Sequence, residues 1–134
     1  MITAVDTNVL FDLFRTDSPH HFQSKEWLAD AYDRGAVIVC DIVYAELVPA
    51  FRDRATLDGA LREINAVLSP IDASIAYEAG QRWGRYRRAG GPRERIISDF
   101  LIGAHATTAA DAFLTRDRGF YATYFPELKR PAAK

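Results

Sequence analysis

The sequence has little of what several functional classes require. Its 134 residues include a single cysteine, Cys40, so an internal disulfide is excluded, and the apolar run AVIVC around it predicts a buried strand thiol. No apolar stretch approaches the about 20 residues of a membrane helix. The first residues also lack the basic start and long apolar run of a signal peptide. We therefore expect a cytoplasmic protein without a membrane anchor.

Neither sign of charge is in large excess. Seventeen basic and eighteen acidic residues give a net charge of −1, which is not the positive excess of a simple nucleic-acid binder. The charges are unevenly distributed, because residues 1–65 hold eleven acidic and six basic residues while residues 66–134 hold seven acidic and eleven basic. The positive charge is therefore concentrated in the second half of the chain.

Much of this positive charge lies in one stretch, RWGRYRRAGGPRER, at residues 82–95. Two interpretations remain open. Arg85, Arg87 and Arg88 form a solvated helix face, or they contact phosphates, with Trp83 and Tyr86 as interleaved aromatic groups that suit bases.

Strands and helices are predicted to alternate along the chain. With 49% apolar residues, this length supports one well-packed core, so we expect a single domain over residues 1–134. Apolar runs predict strands at 2–5, 36–40, 69–71 and 112–115, and helical spacing predicts helices at 9–14, 22–34, 42–51, 57–68, 73–88 and 97–110. Such alternation indicates an α/β fold with a parallel sheet between helices. The turn at 90–92 is the best candidate for a mobile loop, and the polar C-terminal run signals a last strand poorly.

Four acidic residues follow strands or open helices in this scheme. Asp6 directly follows the first strand, Glu46 lies in the helix after the second, Asp99 opens the helix at 97–110, and Asp117 follows the last strand. All four are expected to reach one edge of the sheet. Other interpretations exist for each alone: Asp6 and Asp99 are also good helix caps, and Asp117 is an ordinary turn residue.

Several carboxylates in one pocket repel each other unless a cation lies between them. An all-oxygen set favours Mg²⁺ or Mn²⁺ over zinc. His20, His21 and His105 show no metal-ligand spacing, and His105 is predicted to be a core or site-rim histidine.

Four motifs occur in order: AVDTNVL, IVYAEL, ISDFLIGAHA and FLTRDRGF. Together they resemble a PIN domain, specifically a toxin ribonuclease of the VapC type, over residues 2 to 128. The resemblance implies a three-layer α/β/α sandwich and an Mg²⁺- or Mn²⁺-dependent endoribonuclease site. That site would be lined by Asp6, Glu46, Asp99 and Asp117 and supported by Asn8, Ser98 and Thr115.

The same resemblance implies a homodimer, an RNA substrate and a small VapB-type antitoxin, with operator DNA contacted only through the antitoxin. Hydrolysis would use a metal-activated water, with Asp6, Asp99 and Asp117 as the most direct ligands and Glu46 holding a second metal or orienting the water. Arg116 and Arg118 would contact phosphate, unless they are solvated turn arginines.

Two other functions fit parts of the pattern. Haloacid-dehalogenase-like phosphatases also place an Asp after a first apolar strand, but they want a second Asp where Asn8 stands and a lysine near the later acids. Only Lys25, Lys129 and Lys134 are present, none beside Asp99 or Asp117. A regulatory module that binds a partner without cleaving anything is the non-enzymatic alternative, against which the intact set of acids argues.

Overall fold

A parallel sheet forms the centre of the molecule, as the alternating sequence pattern predicts. A computed structural model describes residues 1–91 and 96–128. Its strands are β1 (Ile2–Val5), β2 (Ala36–Cys40), β3 (Ala66–Ser69) and β4 (Ala112–Leu114), in the spatial order β3-β2-β1-β4. Every pairing is parallel, with Ala4 opposite Ile38 on one side and Phe113 on the other. The predicted fold class is confirmed.

Helices flank the sheet and complete the three-layer α/β/α sandwich. They are α1 (Thr7–Phe14), α2 (His21–Arg34), α3 (Asp41–Leu47), α4 (Arg54–Glu63), α5 (Ala73–Arg88), α6 (Ile97–Ala109) and α7 (Arg118–Tyr124), with a 3₁₀ turn at Val48–Ala50. The core has aliphatic residues from β1 and β2 and a cluster of aromatic rings around Phe100 of α6. None of the helices in the described ranges is long and apolar enough to cross a membrane.

Strand β1 lies between β2 and β4, which fixes where the first acid stands. The backbone N–H of Asp6 donates to the carbonyl of Leu114 at 2.9 Å, so the ends of β1 and β4 are joined side by side. Since carboxyl ends of parallel strands share one sheet edge, the residues after both strands are neighbours there.

The third strand differs from the sequence prediction. We expected a helix over 57–68 and a short strand at 69–71, whereas the helix ends at Glu63 and the strand occupies Ala66–Ser69. Asn65 has φ of 51°, a left-handed conformation that asparagine tolerates and that stops a helix. The residues after it then pair with β2 in extended form.

A second helix is also shorter than predicted. The pattern over 42–51 indicates one helix with a kink at Pro49, but α3 ends at Leu47 and Pro49 lies in the 3₁₀ turn. Proline has no N–H to donate, and its ring clashes with the carbonyl four residues earlier, which ends the α-helical ladder.

Cys40 and His105, the two residues predicted to be buried rather than reactive, are core residues. Cys40 is a buried thiol at the end of β2, and burial raises its pKa to about 11, which disfavours thiolate chemistry. His105 is buried in α6 with Nε2 at 2.9 Å from Ser69 Oγ, and burial lowers its pKa. Both predictions are confirmed. Pro92 of the suspected mobile turn and residues 129–134 lie outside the described residues.

Candidate active site

Asp6 is the centre of the hydrogen-bond network at the carboxyl edge of the sheet. Its side chain is only 6% exposed. Oδ1 accepts from the backbone N–H of Thr7 at 2.8 Å, which also caps α1. Oδ2 accepts from Thr115 Oγ1 at 2.7 Å and from Asn8 Nδ2 at 3.3 Å. The predicted supporting residues Asn8 and Thr115 therefore both hold this carboxylate.

The electrostatics of Asp6 show that other acids approach it. Burial raises the pKa of Asp6 to about 6, although hydrogen bonds from Thr115 and Thr7 oppose the rise. The negative charges of Glu46 and Asp117 raise it further. Two of the other predicted acids, Glu46 and Asp117, are therefore near enough for their charges to act on Asp6.

Glu46 is held near Asp6 by a residue that the sequence analysis did not single out. Thr7 donates through Oγ1 to Glu46 Oε1 at 2.6 Å, while its backbone N–H donates to Asp6 Oδ1. Glu46 is otherwise an exposed residue of α3. Its carboxylate is therefore both oriented by Thr7 and open to solvent, as a group that meets a ligand must be.

Asp117 follows β4 in a turn whose backbone is tied to the Asp6 network. Its N–H donates to Thr115 Oγ1 at 3.0 Å, and the same oxygen donates to Asp6. The Asp117 side chain is half-buried. The turn thereby ties the Asp117 backbone to the hydroxyl that donates to the Asp6 carboxylate.

Asp99 has the helix-capping contact that the sequence left open. It lies in the first turn of α6 beside half-buried Ser98, and its Oδ2 accepts from the backbone N–H of Ile96 at 3.1 Å. The capping interpretation is confirmed, while a ligand role for Asp99 stays a prediction. Across residues 1–91 and 96–128, no three His, Cys, Asp or Glu groups are close enough together to hold a metal ion as they stand.

Arg116 is engaged by another side chain of the protein. Its guanidinium pairs with the carboxylate of Asp12, an acid of α1 that the sequence analysis missed. An acid within the apolar run VLFDLF was the available signal, because a buried carboxylate requires a partner. Contact between Arg116 and RNA stays a prediction, and so does that of Arg118, whose side chain is outside the described part.

The basic stretch on α5 divides into exposed and internal groups. Arg85, Arg87 and Arg88 are exposed, in agreement with either interpretation. Tyr86 is 4% exposed and packs on Phe100 and Tyr124, so the expectation that it offers a face to bases was wrong. Ala79 follows Ile75 by four residues and Tyr86 follows Ala79 by seven, so the buried residues of α5 share one helix face, and the helical period turns Tyr86 to the core.

The PIN domain family model matches residues 3–126, nearly the whole chain. The chain belongs to the PIN domain family. No curated protein matches it. Among solved structures, VapBC2 from Rickettsia felis bound to a promoter DNA fragment has 18% identity and a TM-score of 0.70, covering 100% of both chains.

Two further PIN-domain structures align over almost their full length. VapBC-1 from nontypeable Haemophilus influenzae has 19% identity and a TM-score of 0.70, covering 98% of this chain and 97% of its own. VapC20 of Mycobacterium tuberculosis, a toxin that cleaves the sarcin-ricin loop, has 19% identity and a TM-score of 0.68, covering 95% and 98%. At these identities the likeness establishes the PIN fold.

Proposed function

We propose that this PIN-domain protein is an Mg²⁺- or Mn²⁺-dependent endoribonuclease and the toxin of a toxin–antitoxin pair. The observation that supports it best is the Asp6 carboxylate, which is held by three hydrogen-bond donors. Burial raises its pKa, and the charges of Glu46 and Asp117 add to that rise. Carboxylates gathered in this way are costly without a ligand and are typical of sites built for binding.

The donor chemistry fits a hard divalent cation. The groups at the edge are carboxylate oxygens, which Mg²⁺ and Mn²⁺ prefer, and the buried Cys40 and His105 are engaged elsewhere in the core. Asp6, Asp117 and Asp99 would hold the ion, with Glu46 at a second ion or at the attacking water. When bound, the ion would supply charge neutralisation and an activated water.

The protein's own residues would position the reaction. Thr7 and Thr115 fix Glu46 and Asp6, so the attacking water and the scissile phosphate would meet carboxylates of defined orientation. Hydrolysis forms a bond between the water oxygen and phosphorus and breaks one phosphorus–oxygen bond to ribose, and the leaving ribose oxygen takes up a proton from solvent. Glu46, which is exposed to solvent, would accept the proton that the attacking water loses.

The proposed partners follow the solved structures of similar fold. Several of these are toxin–antitoxin complexes, including one from Klebsiella pneumoniae and a DNA-bound VapBC from Salmonella typhimurium. We accordingly propose a VapB-type antitoxin, a homodimer, contact with operator DNA through the antitoxin alone and action on RNA in the cytoplasm.

The test is cleavage of single-stranded RNA by the purified chain. We expect cleavage in Mg²⁺ or Mn²⁺, none in excess EDTA, and recovery when either ion is restored. Asp6→Asn is the control for contaminating ribonuclease and should be inactive under all conditions. Unimpaired cleavage in EDTA contradicts the metal-dependent mechanism. Phosphate release from a small ester would favour the phosphatase, and neither activity would favour a non-catalytic module.

A further inference from the structure

Asp12 is a buried carboxylate that is not among the four predicted site acids. It is 4% exposed on α1 and accepts hydrogen bonds through both oxygens. Ser18 Oγ donates to Oδ1 at 2.9 Å and Ser24 Oγ to Oδ2 at 3.2 Å. The Arg116 guanidinium completes the set with a two-point contact, Nε to Oδ2 and Nη2 to Oδ1 at 3.2 Å.

Hydrogen bonding keeps the Asp12 carboxylate charged inside the protein. Burial alone would raise the pKa of Asp12, but the bonds from Arg116, Ser18 and Ser24 lower it below its ordinary range. A guanidinium that grips a carboxylate at two points fixes orientation as well as distance. The contact therefore holds the backbone around Arg116 in a defined place relative to α1.

Arg116 stands between two residues of the candidate active site. Thr115 on one side donates to Asp6, and the N–H of Asp117 on the other side donates back to Thr115 Oγ1. The Arg116 N–H itself donates to Asn8 Oδ1 at 3.3 Å, and Asn8 donates to Asp6. The whole turn after β4 is thus tied to α1 at the backbone and at the side chain.

We infer that Asp12 and Arg116 are positioning residues, an ion pair between a buried carboxylate and a surface guanidinium that holds the turn carrying Thr115 and Asp117 against Asp6. The inference rests on the proposed function for its catalytic consequence. Arg116 then acts through Asp117 and Thr115, and its part in phosphate binding is secondary.

Loss of the pair should loosen the turn without unfolding the protein. Arg116 is at the surface, with a side chain 32% exposed, so Arg116→Met is expected to fold. It leaves Asp12 with two serine donors and releases the turn from α1. Arg116→Lys keeps the charge without the two-point geometry and should lie between Arg116→Met and the wild type. The matched control is Arg34→Met, which removes a guanidinium from the exposed Asp30–Arg34 pair on α2.

The first measurement is amide hydrogen exchange at Asp117 in the metal-free protein, because it reports the turn directly. We expect about tenfold faster exchange in Arg116→Met, an intermediate rate in Arg116→Lys and the wild-type rate in Arg34→Met. Mn²⁺ affinity without RNA, read by electron paramagnetic resonance, should fall about 10- to 100-fold in Arg116→Met. The kcat for RNA should fall by a similar factor while KM stays unchanged.

Each outcome decides the inference. An unchanged Asp117 exchange rate overturns it, and a raised KM with unchanged exchange would make Arg116 an RNA contact instead. If the wild type cleaves no RNA but the exchange and Mn²⁺ effects appear, the positioning pair stands and the proposed function fails. A variant that loses only thermal stability, with exchange at Asp117 and kcat intact, reduces the pair to a structural role.

Discussion

Asp6 shows why a single residue in this protein serves two purposes. Its Oδ1 caps α1 through the Thr7 N–H, a service that any uncharged acceptor could provide. Its negative charge is instead unfavourable in the protein alone, because it is buried beside Glu46 and Asp117. A charge kept at such a cost points to a ligand that needs it.

Asp6→Asn should make the metal-free protein less sensitive to pH. The pKa of Asp6 is raised from its ordinary value of 3.8 to about 6 in the folded protein, so the folded state binds the proton more tightly than the unfolded state does. The protein therefore loses stability as the pH rises from about 4 to 6. At pH 7.5 the penalty is about 3 kcal/mol. Asn carries no such charge, so the variant should gain stability over the wild type at pH 7.5 and lose that gain near pH 4.

Urea unfolding in EDTA at pH 4 and 7.5 measures this difference. Asp33→Asn is the matched control, since it removes one negative charge from an exposed position of α2. It should leave the pH dependence near that of the wild type. If Asp6→Asn and the wild type show equal pH dependence, the Asp6 charge does not destabilise the metal-free fold. Near-normal RNA cleavage by Asp6→Asn would remove Asp6 from the site.

Comparing Asp99→Asn with Asp99→Ala distinguishes a capping role of Asp99 from a metal-binding role. Asn keeps an oxygen that accepts from the Ile96 N–H, so Asp99→Asn should hold its stability, while Asp99→Ala should lose about 0.5–2 kcal/mol. If Asp99 is also a ligand, RNA cleavage should fall at least about a hundredfold in both variants. Thermal melts and a cleavage assay measure the two effects. Normal cleavage by Asp99→Asn would leave Asp99 as a cap alone.

At this scale the sequence predicted that Asp6, Asn8 and Thr115 would lie together, and it missed Asp12. Asp6, Asn8 and Thr115 follow strands whose ends a parallel sheet must bring together, so topology alone implies their meeting. The partner of Asp12 is Arg116, 104 residues away, and local spacing holds no information about such a pair.

At the scale of helices and strands, local spacing again predicts what neighbouring residues decide and misses what distant contacts decide. Strands β1 and β2 were predicted correctly because a strong apolar run ends in an acid in each case. Strand β3 was misplaced because AVLS continues the apolar spacing of α4. The two elements are separated by the left-handed backbone conformation of Asn65, which the pattern of apolar residues does not reveal. Residues 66–69 form a strand because they pair with β2, which is a tertiary contact that the local sequence does not show.

Helix α6 depends on a glycine that its neighbour makes necessary. A Cβ at Gly103 would lie 2.4 Å from the ring of the fully buried Phe125, so Gly103→Ala should cost about 1–3 kcal/mol through overpacking. Gly80 on α5 faces open space, and Gly80→Ala should instead stabilise by about 0.5–1 kcal/mol. Urea denaturation of both variants compares them. A neutral Gly103→Ala would show that Phe125 moves aside freely.

At the scale of the whole molecule, the structure shows where the acidic first half and the basic second half of the sequence place their charges. The acids around Asp6 gather at the carboxyl edge of the sheet, whereas Arg85, Arg87 and Arg88 remain exposed in the last turn of α5. Arg82, in the same stretch, is instead paired with Glu78 and Glu127 and lies over Phe125, so it anchors the C-terminal part of the fold. Composition alone could not separate these two kinds of arginine.

Replacing Arg85, Arg87 and Arg88 together by Ala tests whether the exposed group binds phosphate. Each phosphate contact adds about 0.7 to the slope of log affinity against log salt for a single strand, so losing three should reduce the slope by about 2. The inactive Asp6→Asn background allows RNA binding to be measured by fluorescence anisotropy between low and high salt without cleavage, while Mn²⁺ affinity is measured in variants that keep Asp6.

The matched control replaces Arg52, Arg54 and Arg62 by Ala. These arginines are exposed in the acidic half of the chain, and their replacement removes the same charge as the α5 variant does. Long-range attraction would weaken in both triple variants alike, because it depends on net charge. Direct contact predicts the reduced slope in the α5 variant alone, with Mn²⁺ affinity unchanged in both. An unchanged slope in the α5 variant would assign these arginines to a solvated helix face, leaving RNA binding to groups nearer the acids.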